Sequence, residues 1–419
     1  MFLRLFFYSI LVALIVFGCS FEHKKKEVLN NSTGSNLIPN EYQGLNNIFL
    51  GSDSVSIYCS VLLKSNLVYN GDSTDSFFSV GEFVVDDYGR IFIEGHKEII
   101  VFDSTGSFLK KLGREGRGPG EFSNMTSLSP KIRSNKLYTY DDVLGRINIY
   151  DIRTLKFSQS FVINRKKINN IEDLAKTHVQ GLVGITDSLF LFEFEDIRTD
   201  DIEKELFRRY YLLNSDGEVV SKEIFNVQYK NPNNTKAYFF SPQKSFFPLQ
   251  NGSDRQTKIY FDADNNLYTS WTDNFFIKIF DVQGEYKRSI FYPFENSTLN
   301  ENDIIETFDY NEKVYQRARK YNFPETWPAI DQFFIDDESR IWVSTIIDDE
   351  QNYEWWILKN SGELISKFKW PGERLKRARN FRVQPVVKNG YFYIRESDKE
   401  TGMKQIVKYK IVFEKKIKC

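Results

Sequence analysis

One decapeptide pattern recurs through this chain and restricts what it can fold into. Phe83 to Phe92, Ile259 to Tyr268 and Phe333 to Trp342 align without gaps. In each, a short apolar run ends at an aspartate: Asp86, Asp262 or Asp336. Three positions later comes a residue that accepts turn geometry (Gly89, Asn265 or Ser339), followed by an aliphatic and an aromatic residue. That order spells strand, tight turn, strand. A second template marks the next hairpin: an apolar pair, a polar residue and a glycine three further on, as in Phe102–Gly106, Leu213–Gly217, Phe280–Gly284 and Leu358–Gly362. Tyr150-Asp151 and Tyr409-Lys410 are copies without the glycine.

The second mark falls at 103, 151, 214, 281, 359 and 410. Four short strands fit each interval, and fixed-period strand repeats at this spacing signal a propeller. Six marks predict an all-β, six-bladed β-propeller with four-stranded blades at 80–113, 126–162, 179–226, 257–292, 331–370 and 382–419. The last unit ends soon after its third strand. The alternating stretch 54–63 is suited to complete it, closing the ring and removing an open edge. Cys59 would then lie near Cys419, as a disulfide worth about 4 kcal/mol over so long a loop or as two free thiols. Strand register decides between them.

Ahead of the 47–419 propeller lie two short segments. Arg4 and the apolar run Leu5–Phe17 form an export signal too short to span a bilayer. Val16-Phe17-Gly18-Cys19 resembles the bacterial lipoprotein signal, although Phe17 stands where a small residue is usual. The resemblance implies removal of residues 1–18 and lipidation of Cys19, a membrane anchor gaining about 0.8 kcal/mol per buried methylene. Residues 19–46, with the run Lys24-Lys25-Lys26 and a polar Asn/Ser/Gly tract, read as a solvated tether.

Lys111–Phe122, following Phe102–Phe108, resembles the inter-blade segment of NHL-repeat propellers. It is closer still to the NHL-like six-bladed β-propeller lipoproteins of Bacteroidetes-type bacteria. That resemblance implies the fold and a cell-envelope location, on the outer membrane, far more than an activity.

Blade topology sorts the loops. First-to-second and third-to-fourth strand turns share one face and are short. Second-to-third turns and blade connections share the other and hold the insertions 113–125, 163–178, 196–205, 226–256, 293–330 and 347–353. Long ordered loops usually carry function, so binding is expected there. Arg114, Glu115, Arg117, Glu121 and Arg146 belong to that face, with mutual salt bridges the first expectation for the charged loop. So do Arg317, Arg319 and Trp327 of the largest insertion, and Trp355. Acids early and bases late between Asn300 and Tyr321 suit a helix over the channel.

Dedicated chemistry is sparse. The glycines of 113–120 lack a Gly-Lys-Ser/Thr ending and read as a turn. Asp262, Asp264 and Asn266 have calcium-loop spacing but no bidentate glutamate downstream, so no cofactor is expected and calcium is the alternative. No nucleophile elbow occurs, and the histidines beyond the tether, His96 and His178, stand in unrelated contexts. With 56 basic and 57 acidic residues no global field favours nucleic acid. The expectation is a monomeric, membrane-anchored, non-catalytic binding or interaction propeller. Its partner would be an envelope protein or a small molecule. A carboxylate-metal hydrolase of the lactonase-like kind and a glycan-binding module are the alternatives.

Overall fold

The hairpins that carry the turn residue close with the same bonds, whereas Asp151 lacks them and Lys410 lies inside a continuous strand, Lys404–Lys415, rather than at a turn. In the first, Asp86 N–H donates to Arg90 C=O at 3.1 Å and Gly89 N–H returns to Asp86 C=O at 3.0 Å. One oxygen of the Asp86 carboxylate accepts the N–H groups of Tyr88 and Arg90, both at 2.9 Å. Asp262 and Asp336 repeat this pattern, and Asp103, Asn214 and Asp281 repeat it at the next hairpin. The loop is three residues long and its last residue is left-handed: Gly89 at φ +75°, Asn265 at +63° and Ser339 at +60°. Few side chains tolerate that conformation, which explains the turn residue in the template.

The computed structural model describes residues 44–52, 59–69, 81–95, 97–123, 130–197, 206–230, 238–240, 246–248, 255–303, 324–372, 383–398 and 400–415. Two strands precede the blades, β1 (Ile48–Leu50) and β2 (Cys59–Tyr69). Blade 1 is β3 (Phe83–Val85), β4 (Ile91–Glu94), β5 (Ile99–Phe102) and β6 (Phe108–Leu112). Blade 2 is β7 (Lys131–Arg133), β8 (Lys136–Asp141), β9 (Arg146–Asp151) and β10 (Lys156–Val162). A single helical turn, α1 (Arg165–Ile168), leads to blade 3: β11 (Thr177–Ile185), β12 (Phe190–Asp196), β13 (Leu206–Leu213) and β14 (Phe225–Lys230). A small hairpin, β15 (Tyr238–Phe240) with β16 (Phe246–Pro248), precedes blade 4. That blade is β17 (Thr257–Phe261), β18 (Leu267–Trp271), β19 (Phe276–Phe280) and β20 (Tyr286–Phe291). Blade 5 is β21 (Ile330–Ile335), β22 (Ile341–Ile346), β23 (Asn352–Leu358) and β24 (Leu364–Pro371). Blade 6 contributes β25 (Val386–Lys388), β26 (Tyr391–Ser397) and β27 (Lys404–Lys415).

Among the described residues the sixth blade has three strands of its own, and β2 supplies the fourth by pairing antiparallel with β27. Of the expected closing strand 54–63, residues 59–63 pair as expected and 54–58 lie outside the described residues; the pairing extends beyond it, from Cys59↔Lys415 to Tyr69↔Ile406. The extension has a packing cause. Tyr69 is buried with its ring 6.0 Å from that of Phe102, and Leu67 packs into the same cluster beneath blade 1. The sequence did not announce β1, which adds to blade 4 as a fifth strand, parallel to β20, with Ile48↔Ser289 and Leu50↔Phe291.

Between blades the core is largely aromatic. Trp356 is fully buried, with its ring 4.9 Å from Phe275 and 5.1 Å from Tyr292 of the preceding blade. Trp342 and Trp355 pack against Phe334 and Phe392. Such rings bury large areas and add edge-to-face attraction, which holds neighbouring sheets face to face.

Candidate functional site

Tight turns occupy the face of the first-to-second and third-to-fourth connections. The opposite face carries the connections 113–130, 163–176, 231–256, 292–329 and 372–385. Among them, the charged loop between blades 1 and 2 is described over residues 113–123. Its foundation is Phe122, fully buried with its ring 6.3 Å from that of Tyr150. A β-carbon on Gly113 would come within 2.2 Å of that ring, and φ there is +75°, so only glycine fits. Phe122 N–H donates to Arg114 C=O at 2.9 Å and Gly116 N–H to Phe122 C=O at 3.1 Å, folding the loop back on itself.

Blade 2 clamps the loop from below. Asn148 accepts from Gly120 N–H and donates to Glu121 C=O, both at 3.1 Å. Tyr150 O–H donates to Gly120 C=O at 2.9 Å. Arg146 donates to the carbonyls of Arg117 and Gly118 at 2.9 and 2.6 Å. The fully buried Asp141 accepts from Ser123 N–H at 2.7 Å. Four side chains of blade 2 therefore fix one loop, a degree of ordering typical of preorganised sites.

The predicted charges sort into different roles. Arg114 and Glu121 pair with each other at 2.8 Å, and the Arg114 side chain is 81% exposed. The Gly118 N–H, then Arg114, hold the Glu121 carboxyl below its ordinary range. Glu115 pairs with Lys97 across the connection. Arg146 is a strut rather than a displayed charge.

Two expected aromatics are corrected. Trp327 is 1% exposed, packed with Leu299, Ile346 and Tyr353, and its indole N–H donates to Asp303 at 3.2 Å. Trp355 is 2% exposed, because it lies on the face of β23 that packs toward blade 6. Neither offers a ring to solvent. Arg317, Arg319, Cys19, His96, Cys419 and most of the expected helix lie outside the described residues. Asp262 spends its carboxylate on the turn, accepting from Asp264 and Asn266 N–H groups and the Asn266 amide.

Beside the clamped loop lies a groove of about 330 Å³, lined by Lys110, Lys111, Arg114, Glu121, Lys156 and Phe157 among others. The Phe157 ring is 40% exposed and stands edge-on to Tyr150 at 5.8 Å. Lys110 reaches the carbonyl of Leu155 at 3.0 Å, and Lys111 pairs with Glu98 at 2.7 Å. Sequence reasoning singled out the loop but missed these lysines. Their signal was a basic pair on one outer strand and an exposed Lys156-Phe157 on the next.

Blade 3 holds a second polar cluster. Arg208 bridges Glu195 at 3.0 Å and Glu193 at 3.3 Å, and Tyr210 O–H donates to Glu193 at 2.8 Å. Burial raises the Glu193 carboxyl above its ordinary range against the pull of Arg208. Among the described residues no group of three or more His, Cys, Asp or Glu is placed to hold a metal ion.

The model of the DUF5128 family, described as a 6-bladed β-propeller, matches residues 73–352, more than half of the chain. The chain belongs to that family. No curated protein matches the sequence. Among solved structures, similarity extends to a Bacteroides fragilis protein thought to be exported, at 12% identity and TM-score 0.49, covering 87% of this chain and 99% of that one. A DUF4221 family member from Bacteroides vulgatus shows 14% identity and TM-score 0.48, covering 85% and 99%. A luciferin-regenerating enzyme shows 10% identity and TM-score 0.38, covering 85% and 98%. In this DUF5128 propeller the clamped loop and its groove lie inside the matched segment, whereas β2 and blade 6 lie outside it.

Proposed function

We propose that this chain is an exported lipoprotein of the cell envelope, anchored through Cys19 on the outer membrane, whose propeller binds a partner without catalysis. Partner contact falls on the face with the long connections, and the clamped 113–122 loop is the part of it on which the reading rests. The observation that carries this reading is the asymmetry of the two faces. The tight turns of one face bond within themselves and to the turns of neighbouring blades, while the opposite face holds a loop fixed by four side chains, from which a cationic groove runs along the outer strands to the turn at Leu155. The NHL-like character of the Lys111–Phe122 segment agrees with it.

The anchor is tested by metabolic labelling with an alkyne fatty acid. Wild-type protein should take up label and sediment with membranes, and Cys19→Ala should lose both. Label retained by the variant would sink the anchor. Partner binding is tested by crosslinking the anchored protein to its neighbours through residues placed in the 113–122 loop or in the opposite turns. Equal capture from both faces would overturn the assignment of the binding face.

The carboxylate-metal hydrolase is retained as a second reading on one observation: Glu193 and Glu195 share a single guanidinium, and burial raises the Glu193 carboxyl as active sites do.

A further inference from the structure

Blade 4 shows how the outer edge of a blade in this ring takes another strand, because β1 lies along β20 in parallel register. Blade 1 has the same edge, and among the described residues no strand pairs with it. After its turn, β20 begins opposite Phe280 at Tyr286, skips one residue and resumes with Ile279↔Arg288. Strand β6 begins opposite Phe102 at Phe108, skips one residue and resumes with Val101↔Lys110. Ser289, Ile290 and Phe291, the partners of Ile48, Phe49 and Leu50, therefore correspond to Lys111, Leu112 and Gly113.

Those three residues line one wall of the groove beside the clamped loop. The far wall corresponds as well. At blades 4 and 5 the Phe49 ring rests against Gly362, in the third-to-fourth turn of blade 5. At blades 1 and 2 the third-to-fourth turn contributes Leu155, at φ +52°, to the groove.

Charge distinguishes the two seats. The covered edge of blade 4 presents Arg288 at the position of Lys110, followed by the uncharged Ser289, Ile290 and Phe291. The groove presents Lys110, Lys111, Arg114 and Lys156 against the lone Glu121. Lys110 and Lys156 have no carboxylate partner among the described residues.

We propose that this groove receives an extended, acidic segment of a partner protein, added to β6 as a parallel fifth strand. This rests on the binding reading above and gives the partner its chemistry. Main-chain hydrogen bonds to the edge would supply affinity, and alternate acidic side chains would meet the lysines. An apolar residue between them would lie over Phe157.

The test is fluorescence anisotropy of the purified protein with a labelled alternating Glu-Val octapeptide. Three comparisons decide it: the same peptide N-methylated at alternate residues, a Lys-Val octapeptide, and the variant K110E/K156E. Both substituted lysines are surface residues of outer strands, and circular dichroism checks the fold. Saturable binding of Glu-Val is expected. It should weaken about tenfold or more with the charge-reversed variant and be lost on N-methylation. Equal binding of the N-methylated peptide would overturn strand addition while leaving the groove as an anion-binding site. Binding unaffected by K110E/K156E would overturn the location. Failure of Glu-Val to bind would overturn the proposal, and the crosslinking experiment above would then decide separately whether this face binds any partner.

Discussion

Phe49 of the added strand β1 lies so close to Gly362 of blade 5 that a β-carbon on the glycine would come within 2.6 Å of the ring. Gly362 also holds φ +104°, a conformation that side chains rarely adopt. Gly362→Ala is expected to cost about 1–3 kcal/mol in denaturant unfolding through strain and overpacking together. Pairing it with Phe49→Ala should recover the overpacking part only. Strict additivity of the two substitutions would show that β1 does not bear on that turn.

The turn aspartates should differ in worth by burial. The Asp336 side chain is fully enclosed and accepts from Arg340 and the Trp342 indole, both at 2.7 Å, besides its turn N–H groups. Asp336→Ala should cost about 3 kcal/mol, since it leaves the buried Trp342 indole N–H unpaired and the Arg340 guanidinium with only the exposed Glu338. Asp281 bonds only exposed turn amides, and Asp281→Ala should cost about 1 kcal/mol or less. Equal losses would mean that the buried contacts add nothing.

Glu193 predicts a pH dependence of a particular sign. Its carboxyl is raised above the ordinary 4.5 by burial, so the folded protein holds this proton more tightly than the unfolded chain does. Its contribution to stability is complete below the unfolded value and is lost as pH rises through the folded one. Glu193→Gln, which keeps the neutral shape, should flatten that decline. Urea midpoints of both proteins from pH 4 upward would measure it, and parallel curves would remove Glu193 as the cause.

Because the Asp262 carboxylate is committed to its turn, the midpoint of thermal unfolding should be the same in EDTA and in added calcium. A bound ion at a hundredfold excess over its Kd would add about 2.7 kcal/mol. A shift of that size with calcium, magnesium or zinc would favour the hydrolase reading.

The turns were legible in the sequence because each demands a particular residue at a particular place: an aspartate oxygen for two N–H groups, then a left-handed residue three positions on. The ring closure was legible because three strands leave an edge. Burial at Trp327 and Trp355 was not, since strand register and the Asp303 contact decide which way a ring points. Strand β1 was hidden for another reason. Three residues adding to an edge need no periodicity of their own, and Phe49 finds its place through residues more than 200 positions away. The groove was hidden likewise: Lys110 and Lys156 lie 46 positions apart and meet only when two blades stand side by side.

The join between β2 and β27 also sets an order of events. β2 is among the first parts of the propeller to be synthesised, yet its partner is among the last, so Cys59 waits for Lys415. As the chain emerges in the compartment where it folds, blades 1 to 5 can each collapse locally, but the ring stays open with β2 unpaired. Closing it means bringing together segments about 350 residues apart, a late and slow step. A nascent chain halted before β27 would carry an exposed strand ready to pair with a neighbour. The cell must therefore either finish this protein or shield its beginning.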